Sequence, residues 1–225
     1  MPDFQQTVGV VGAGTFGTAI ANLLSRRVDV LLYSRNPDTV ERINRERQNF
    51  GINLSPRISA IGNVQELAEK CTLIFPVVPS DGFRSTMTRL GPHLRPYHIL
   101  IHGTKGFDVQ GITPAQMDEG LLEPQHVSTM SQVITQETVV RRVGCLSGPN
   151  LATEILEGQP TATVIGSVYE EVIELGKKVL SSDAFHVFGN NDILGAELAG
   201  ALKNIIAIGS GILRGRGLGK NLQAM

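Results

Sequence analysis

The chain reads as an α/β protein built on a doubly wound parallel sheet. Three observations predict this. Short apolar runs alternate with helix-patterned segments along almost the whole length. The first run, Val8–Val11, passes directly into Gly12, Gly14 and Gly17, a G-x-G-x-x-G pattern set between a strand and a helix. Loops rich in Gly, Pro, Ser or Asn follow the strands, at the edge where such sheets bind ligands.

The elements follow in order. Residues 18–25 form the first helix and 29–33 the second strand. Residues 37–47 are helical, with Asn36 as N-cap and Pro37 in the first turn. A short helix over 64–70 precedes a buried strand at 73–77, and a helix over 83–90 precedes a strand at 99–101. Residues 143–146, 161–165 and 185–188 are further strands, with helices over 151–157 and 169–180 between them. The alternation implies parallel pairing throughout. The turn at 189–191 marks a boundary: residues 1–189 form a Rossmann-type dinucleotide-binding domain, and 190–225 begin a helical segment. Residues 192–213 carry Glu197 and Lys203 and read as a buried helix, not a membrane span.

Composition narrows the function. The 225 residues are 41% hydrophobic, enough for a sizeable core. A formal net charge of −1 gives no basic field for nucleic acid. Cys71 and Cys145 lie far apart without C-x-x-C spacing, which fits a reducing compartment and excludes a zinc or disulfide framework. The start, M-P-D-F-Q-Q-T, has neither a basic region nor an apolar core, so a cytoplasmic protein without a signal peptide is expected.

Each glycine of the fingerprint has its own task. Gly12 allows the tight turn, Gly14 admits a pyrophosphate to the backbone, and Gly17 lets helix and strand pack closely. The helix then directs free N–H groups and its positive dipole end at the phosphates. The second strand ends in Ser34-Arg35-Asn36, without the acidic residue that usually holds an NAD ribose. Arg35 there either pairs with the 2′-phosphate of NADP or is a solvated arginine beside a helix start.

Lys105 lies in H-G-T-K-G-F, where flanking glycines let a substrate approach its point charge. Lys203 shares a helical face with Ala196, Ala199, Gly200, Ala207 and Ser210. Either something approaches the helix closely there, or the helix packs through small residues and Lys203 snorkels outward. The five histidines show no metal-ligand spacing, so no metal site is expected; His102, beside the Lys105 loop, is the one to watch. Arg214-Gly-Arg216-Gly reads as a helix end and turn.

Five motifs occur in order: G-A-G-T-F-G-T-A, V-V-P-S at 77–80, G-T-K-G-F at 103–107, G-P-N-L-A-T-E at 148–154 and G-A-L-K-N-I-I-A-I at 200–208. Together they resemble the cytosolic NAD(P)-dependent sn-glycerol-3-phosphate dehydrogenases of bacterial type. The resemblance spans nearly the whole chain. It implies interconversion of dihydroxyacetone phosphate and sn-glycerol 3-phosphate, feeding glycerophospholipid synthesis. It makes Lys203 the general acid/base and places Lys105, Gly148, Asn150 and Asn204 at the substrate. It assigns Gly12, Gly14, Thr15, Phe16, Gly17, Arg35, Asn36, Pro79, Lys105 and Ala152 to NADP or NAD.

The segment after the lysine helix departs from the family, with Arg214, Lys220 and Leu222 at altered positions. The family continues beyond this point with helices that carry an Arg-Asn grip on the substrate phosphate and an Asp near the lysine. The resemblance therefore implies a chain that holds the cofactor site and the lysine but only part of the substrate cleft. A cofactor-binding module without turnover is the alternative reading; another reductase of the same fold is a third. An uncovered Leu/Ile surface on the lysine helix would favour a homodimer.

Overall fold

The computed structural model describes residues 7–219. Lys220 and Leu222, and all but Thr7 of the N-terminal segment read above, lie outside the described residues. The chain runs β1 (Val8–Val11), α1 (Thr15–Leu24), β2 (Val30–Tyr33), α2 (Pro37–Glu46), a small hairpin of β3 (Gln48–Asn49) and β4 (Ile52–Asn53), β5 (Ile58–Ile61) and α3 (Val64–Lys70). It continues through β6 (Leu73–Pro76), α4 (Phe83–Leu90), β7 (Ile99–His102), β8 (Asp108–Val109), α5 (Pro114–Asp118), β9 (Val127–Ser128) and α6 (Met130–Glu137). Last come β10 (Arg142–Ser147), α7 (Ala152–Leu156), β11 (Thr161–Gly166), α8 (Glu170–Leu180), β12 (Phe185–Asn190) and α9 (Ile193–Gly215).

Eight strands form one sheet in the order β12-β11-β10-β7-β6-β1-β2-β5. Helices cover both faces. Ile20, Leu24, Val172 and Ile173 pack on one side, and Leu67, Phe83, Met87 and Val133 on the other. Ile20, Leu24, Phe83 and Met87 are completely buried, each contributing roughly 1.5–3 kcal/mol of transfer free energy. The α/β sheet expected from the sequence is present, with one correction: β10 and β11 pair antiparallel. The five residues of α7 rise only about 7.5 Å, too little to carry the chain back along the six-residue β10 at about 3.3 Å per residue. The chain therefore re-enters the sheet from the end where it left.

Other differences are local. α1 starts at Thr15, so Gly17 is inside the helix. β12 runs through Gly189 and Asn190, and the expected boundary turn is part of a strand. The α9 expectation is corrected more substantially. Only Ala196 and Gly200 of this helix are buried, and Ile205, Ile206, Ile208 and Ile212 are exposed. The small-residue face packs on the sheet for its first turns only; Ala199 and Ala207 are exposed because the helix projects past the sheet. By length and composition α9 is long and apolar enough to cross a membrane, yet its first turns are fastened to a globular core.

Candidate active site

Five adjoining strand ends, those of β10, β7, β6, β1 and β2, build the site. After β1, Gly12 takes φ +116°, and a Cβ there would sit 2.9 Å from the Val77 carbonyl oxygen. A Cβ on Gly17 would overlap the Gly12 carbonyl oxygen. A Cβ on Gly14 would have no neighbour within 4 Å. The outer glycines thus serve packing, and the middle one leaves open space beside the start of α1. Gly14 is the N-cap and offers no side-chain cap, so the first-turn N–H groups have no side-chain partner. Sequence reasoning missed the brace under this loop. Asn49, fully buried in the β3–β4 hairpin, donates to the Ala13 carbonyl at 3.0 Å and to Thr18 Oγ1 at 2.9 Å. Thr18 Oγ1 donates in turn to the Gly14 carbonyl at 2.8 Å. A two-residue strand has no periodicity to flag it.

A cleft of about 560 Å³ opens beside the glycines. Arg35, Asn36 and Pro79 line it, as does Arg89 of α4, which sequence reasoning also missed. Both arginines are exposed. The Asn36 side chain is engaged as the α2 cap, accepting from the N–H groups of Asp38 at 2.8 Å and Thr39 at 3.3 Å. Asp81 is the acidic residue of the cleft, and it comes from the loop after β6, not from β2.

The lysines meet at the ends of β7 and β10. Lys105 donates to the Gly148 carbonyl at 2.8 Å. Burial, reinforced by the neighbouring Lys203 ammonium, pulls its pKa down to about 8. Gly200 of α9 leaves room for this pairing: a Cβ there would lie 3.0 Å from Ser147 Oγ and 4.0 Å from Lys105 Cγ. Ser147 Oγ donates to the Ala196 carbonyl at 2.8 Å, which seats α9 on β10. The Phe16 ring packs on the Lys105 loop at Gly103, where a Cβ would meet Phe16 Cε1 at 2.8 Å.

Thr15 is exposed at the start of α1, and Ala152 is half-buried at the start of α7. Asn150 is buried and donates to Thr163 Oγ1 at 2.9 Å, while its Oδ1 is buried without a partner among the described residues. Such an acceptor fits a hydroxyl or ammonium donor. Asn204 is exposed beside Lys203. The structure thus brings Phe16, Lys105, Gly148 and Lys203 together and sets Arg35 and Asn36 in the adjoining cleft.

Residues 7–173 match the family model for the NAD-dependent glycerol-3-phosphate dehydrogenase N-terminus, and residues 192–225 match the C-terminus of the same family. The chain belongs to this family. The glycerol-3-phosphate dehydrogenase [NAD(P)+] 2 of Sphingopyxis alaskensis is 36% identical over 221 residues, covering 96% of this chain and 62% of that protein. The chain thus spans about three fifths of the length of such curated relatives. Among solved structures, the glycerol-3-phosphate dehydrogenase of Coxiella burnetii superposes with a TM-score of 0.77 at 29% identity, over 98% of this chain and 65% of that one. The Saccharomyces cerevisiae enzyme gives 0.83 at 25% identity, over 98% and 66%. In this glycerol-3-phosphate dehydrogenase family member, His102 is buried against Glu197 of α9, at 3.0 Å.

Proposed function

We propose that the protein binds NADPH or NADH along the carboxyl edge of the sheet and reduces dihydroxyacetone phosphate to sn-glycerol 3-phosphate. The observation that carries this reading is the pair Lys105 and Lys203, held beside Gly148 and next to the open glycine loop. The residues present suit a dinucleotide. Gly14 leaves space for a pyrophosphate, and the uncapped start of α1 can donate to its oxygens. Arg35 supplies the positive charge for a 2′-phosphate, and Pro79 lines the same cleft.

When bound, the nicotinamide supplies the hydride. Lys203 donates a proton to the ketone oxygen as that oxygen becomes an alkoxide. Lys105 places a second positive charge beside it and lowers the energy of the developing anion. Gly148 fixes Lys105 through its carbonyl, and its φ of +150° with β11 close behind leaves no room for a side chain. Asn150 Oδ1 can accept from a substrate hydroxyl, and Asn204 lies beside Lys203 for a further polar contact.

This reading places the reaction in the cytoplasm, in the supply of glycerophospholipid precursors, with residues 1–189 as the dinucleotide domain and 190–225 as the start of a substrate domain. Titration with NADPH and NADH, followed by NADPH oxidation with dihydroxyacetone phosphate, tests it. A second reading, cofactor binding without turnover, is favoured by one observation. From Asn204 through Gly209, α9 is exposed, so the described residues leave the lysine pair open on that side. NADPH binding with no oxidation would select it.

A further inference from the structure

The first turns of α9 are seated by packing at Ala196 and Gly200 and by one buried charge, the carboxylate of Glu197. Glu197 accepts from the Ser131 N–H at 2.8 Å and from Ser131 Oγ at 2.6 Å, and lies 3.0 Å from His102 Nε2. The His102 and Glu197 side chains are only 2% and 6% exposed. Ser131 is in the first turn of α6, so the carboxylate also meets the positive end of that helix. The imidazole lies close to the carboxylate without an aligned hydrogen bond, and His102 Nδ1 has no partner among the described residues. The Phe83 ring stands edge-on to the imidazole, with centroids 5.8 Å apart.

A cluster of this kind is a poor device for stability alone. Burying a carboxylate carries a desolvation cost, and apolar side chains of similar volume usually stabilise as well. What a polar cluster adds is register. The three contacts of Glu197 are satisfied in one placement of α9, and a slip or rotation of the helix breaks all of them. The placement matters because of what lies on either side. His102 ends β7, and Lys105 follows three residues later. Lys203 lies six residues beyond Glu197, about 9 Å up the helix axis.

We propose that Glu197, with His102 and Ser131, is a positioning unit that clamps α9 to the end of β7 and thereby sets the separation of Lys105 and Lys203. The inference rests on the reading of those lysines as the reacting pair. The Glu197 carboxylate is buried against His102 and Ser131, so it acts through the helix that it holds. The other ionisable neighbour is Cys145, whose thiol burial pushes up to about 12, so it stays neutral and does not compete.

The consequence has a sign. Deleting a carboxylate by itself lowers the pKa of nearby lysines, because a favourable charge is lost. Releasing the clamp does the reverse: the two ammonium groups move apart and the Lys105 pKa rises from about 8 toward 10.5.

The pKa of Lys105 is to be read from the pH dependence of its acylation, by mass spectrometry, in the unsubstituted chain, Glu197→Ala, Glu197→Gln and Ser131→Ala. Each sample is checked for folding by circular dichroism and for NADPH binding. Glu197→Ala is expected to raise the Lys105 pKa by ~0.5 or more, and Ser131→Ala by less. Glu197→Gln, whose amide oxygen can stay at the Ser131 N–H and His102 while its –NH2 donates to Ser131 Oγ, should leave it nearly unchanged. Ile173→Val, a core change on the other face of the sheet, reports loss of stability alone and should not move it. A fall or no change in folded Glu197→Ala overturns the proposal, as does Glu197→Gln moving as far as Ala. Should Glu197→Ala not fold, no rise in Ser131→Ala overturns it. An ordinary Lys105 pKa in the unsubstituted chain also overturns it. Absence of NADPH binding in the unsubstituted chain overturns the functional reading instead and leaves the pKa comparison standing.

Discussion

The Lys105 and Lys203 ammonium groups face each other across the junction of the β7 loop and α9, close enough that Lys203 lowers the pKa of Lys105. Two like charges brought together are an expense that a fold tolerates when an anion is to come between them. The Gly148 carbonyl, 2.8 Å from Lys105 Nζ, offsets part of the repulsion. An arriving alkoxide or phosphate would offset the rest, which gives the pair a preference for negative charge before any substrate is bound.

The first prediction concerns pH. The folded pKa of Lys105, about 8, lies below its ordinary value of 10.5, so protonation is less favourable in the folded chain than in the unfolded one. Stability should therefore rise as pH increases from about 8 to 10.5, and the cost is fully present below about 8. Lys105→Met should flatten that rise. Thermal melts of both proteins across this range check it, and a slope that survives in Lys105→Met would remove Lys105 as its source.

Lys203→Ala should raise the Lys105 pKa toward 10.5, because the neighbouring charge is gone. If the protein turns over dihydroxyacetone phosphate, the same change should lower the rate by roughly 10²-fold or more and leave NADPH affinity nearly unchanged. Acylation mass spectrometry and a paired NADPH titration read these separately. Full turnover in Lys203→Ala would show that the lysine is not the proton donor.

At acid pH, Glu197 should dominate. Burial by itself raises a carboxyl pKa, but the contact with His102 and the two bonds from Ser131 outweigh it and hold Glu197 below its ordinary 4.5. The stabilisation is present above about 4.5 and is lost as pH falls through the folded pKa. Glu197→Gln should weaken the acid dependence of the melting temperature. An unchanged acid limb would assign that limb to other carboxylates.

The glycines should separate by substitution. Gly14→Val has open space for its side chain and should fold, yet lose NADPH binding, because the side chain occupies the pyrophosphate's position. Gly17→Ala meets the Gly12 carbonyl oxygen and should destabilise the protein itself. Asn49→Ala, which strips a donor from both Ala13 and Thr18, should destabilise by about 1–3 kcal/mol and weaken NADPH binding through the loosened loop. Denaturant melts and cofactor titrations of the three variants give the comparison. Tight NADPH binding by Gly14→Val would show that the glycines serve packing alone.

Arg35→Ala should weaken NADPH binding by about 1–3 kcal/mol while sparing NADH, as expected for a charge-assisted contact to a 2′-phosphate. Arg89 lines the same cleft, and Arg89→Ala should produce a smaller loss of the same kind. Equal losses for both cofactors in Arg35→Ala would show that the arginine serves a part common to the two. Isothermal titration with each cofactor decides.

Local patterns in the chain were enough to determine the α/β architecture, the glycine turn after β1, and the loops that carry Arg35, Pro79, Lys105 and Gly148. Each of these depends on a residue and its immediate neighbours: a turn needs a glycine, a buried strand needs an apolar run. Only the tertiary structure decided what depends on elements distant in sequence. Asn49 reaches Ala13 across 36 residues, and Glu197 reaches Ser131 across 66. The antiparallel turn of β11 follows from how far α7 can carry the chain, a length that apolar alternation does not encode. The exposure of α9 was equally invisible, because apolar residues mark a surface suited to burial, while burial itself requires a partner at that place in space.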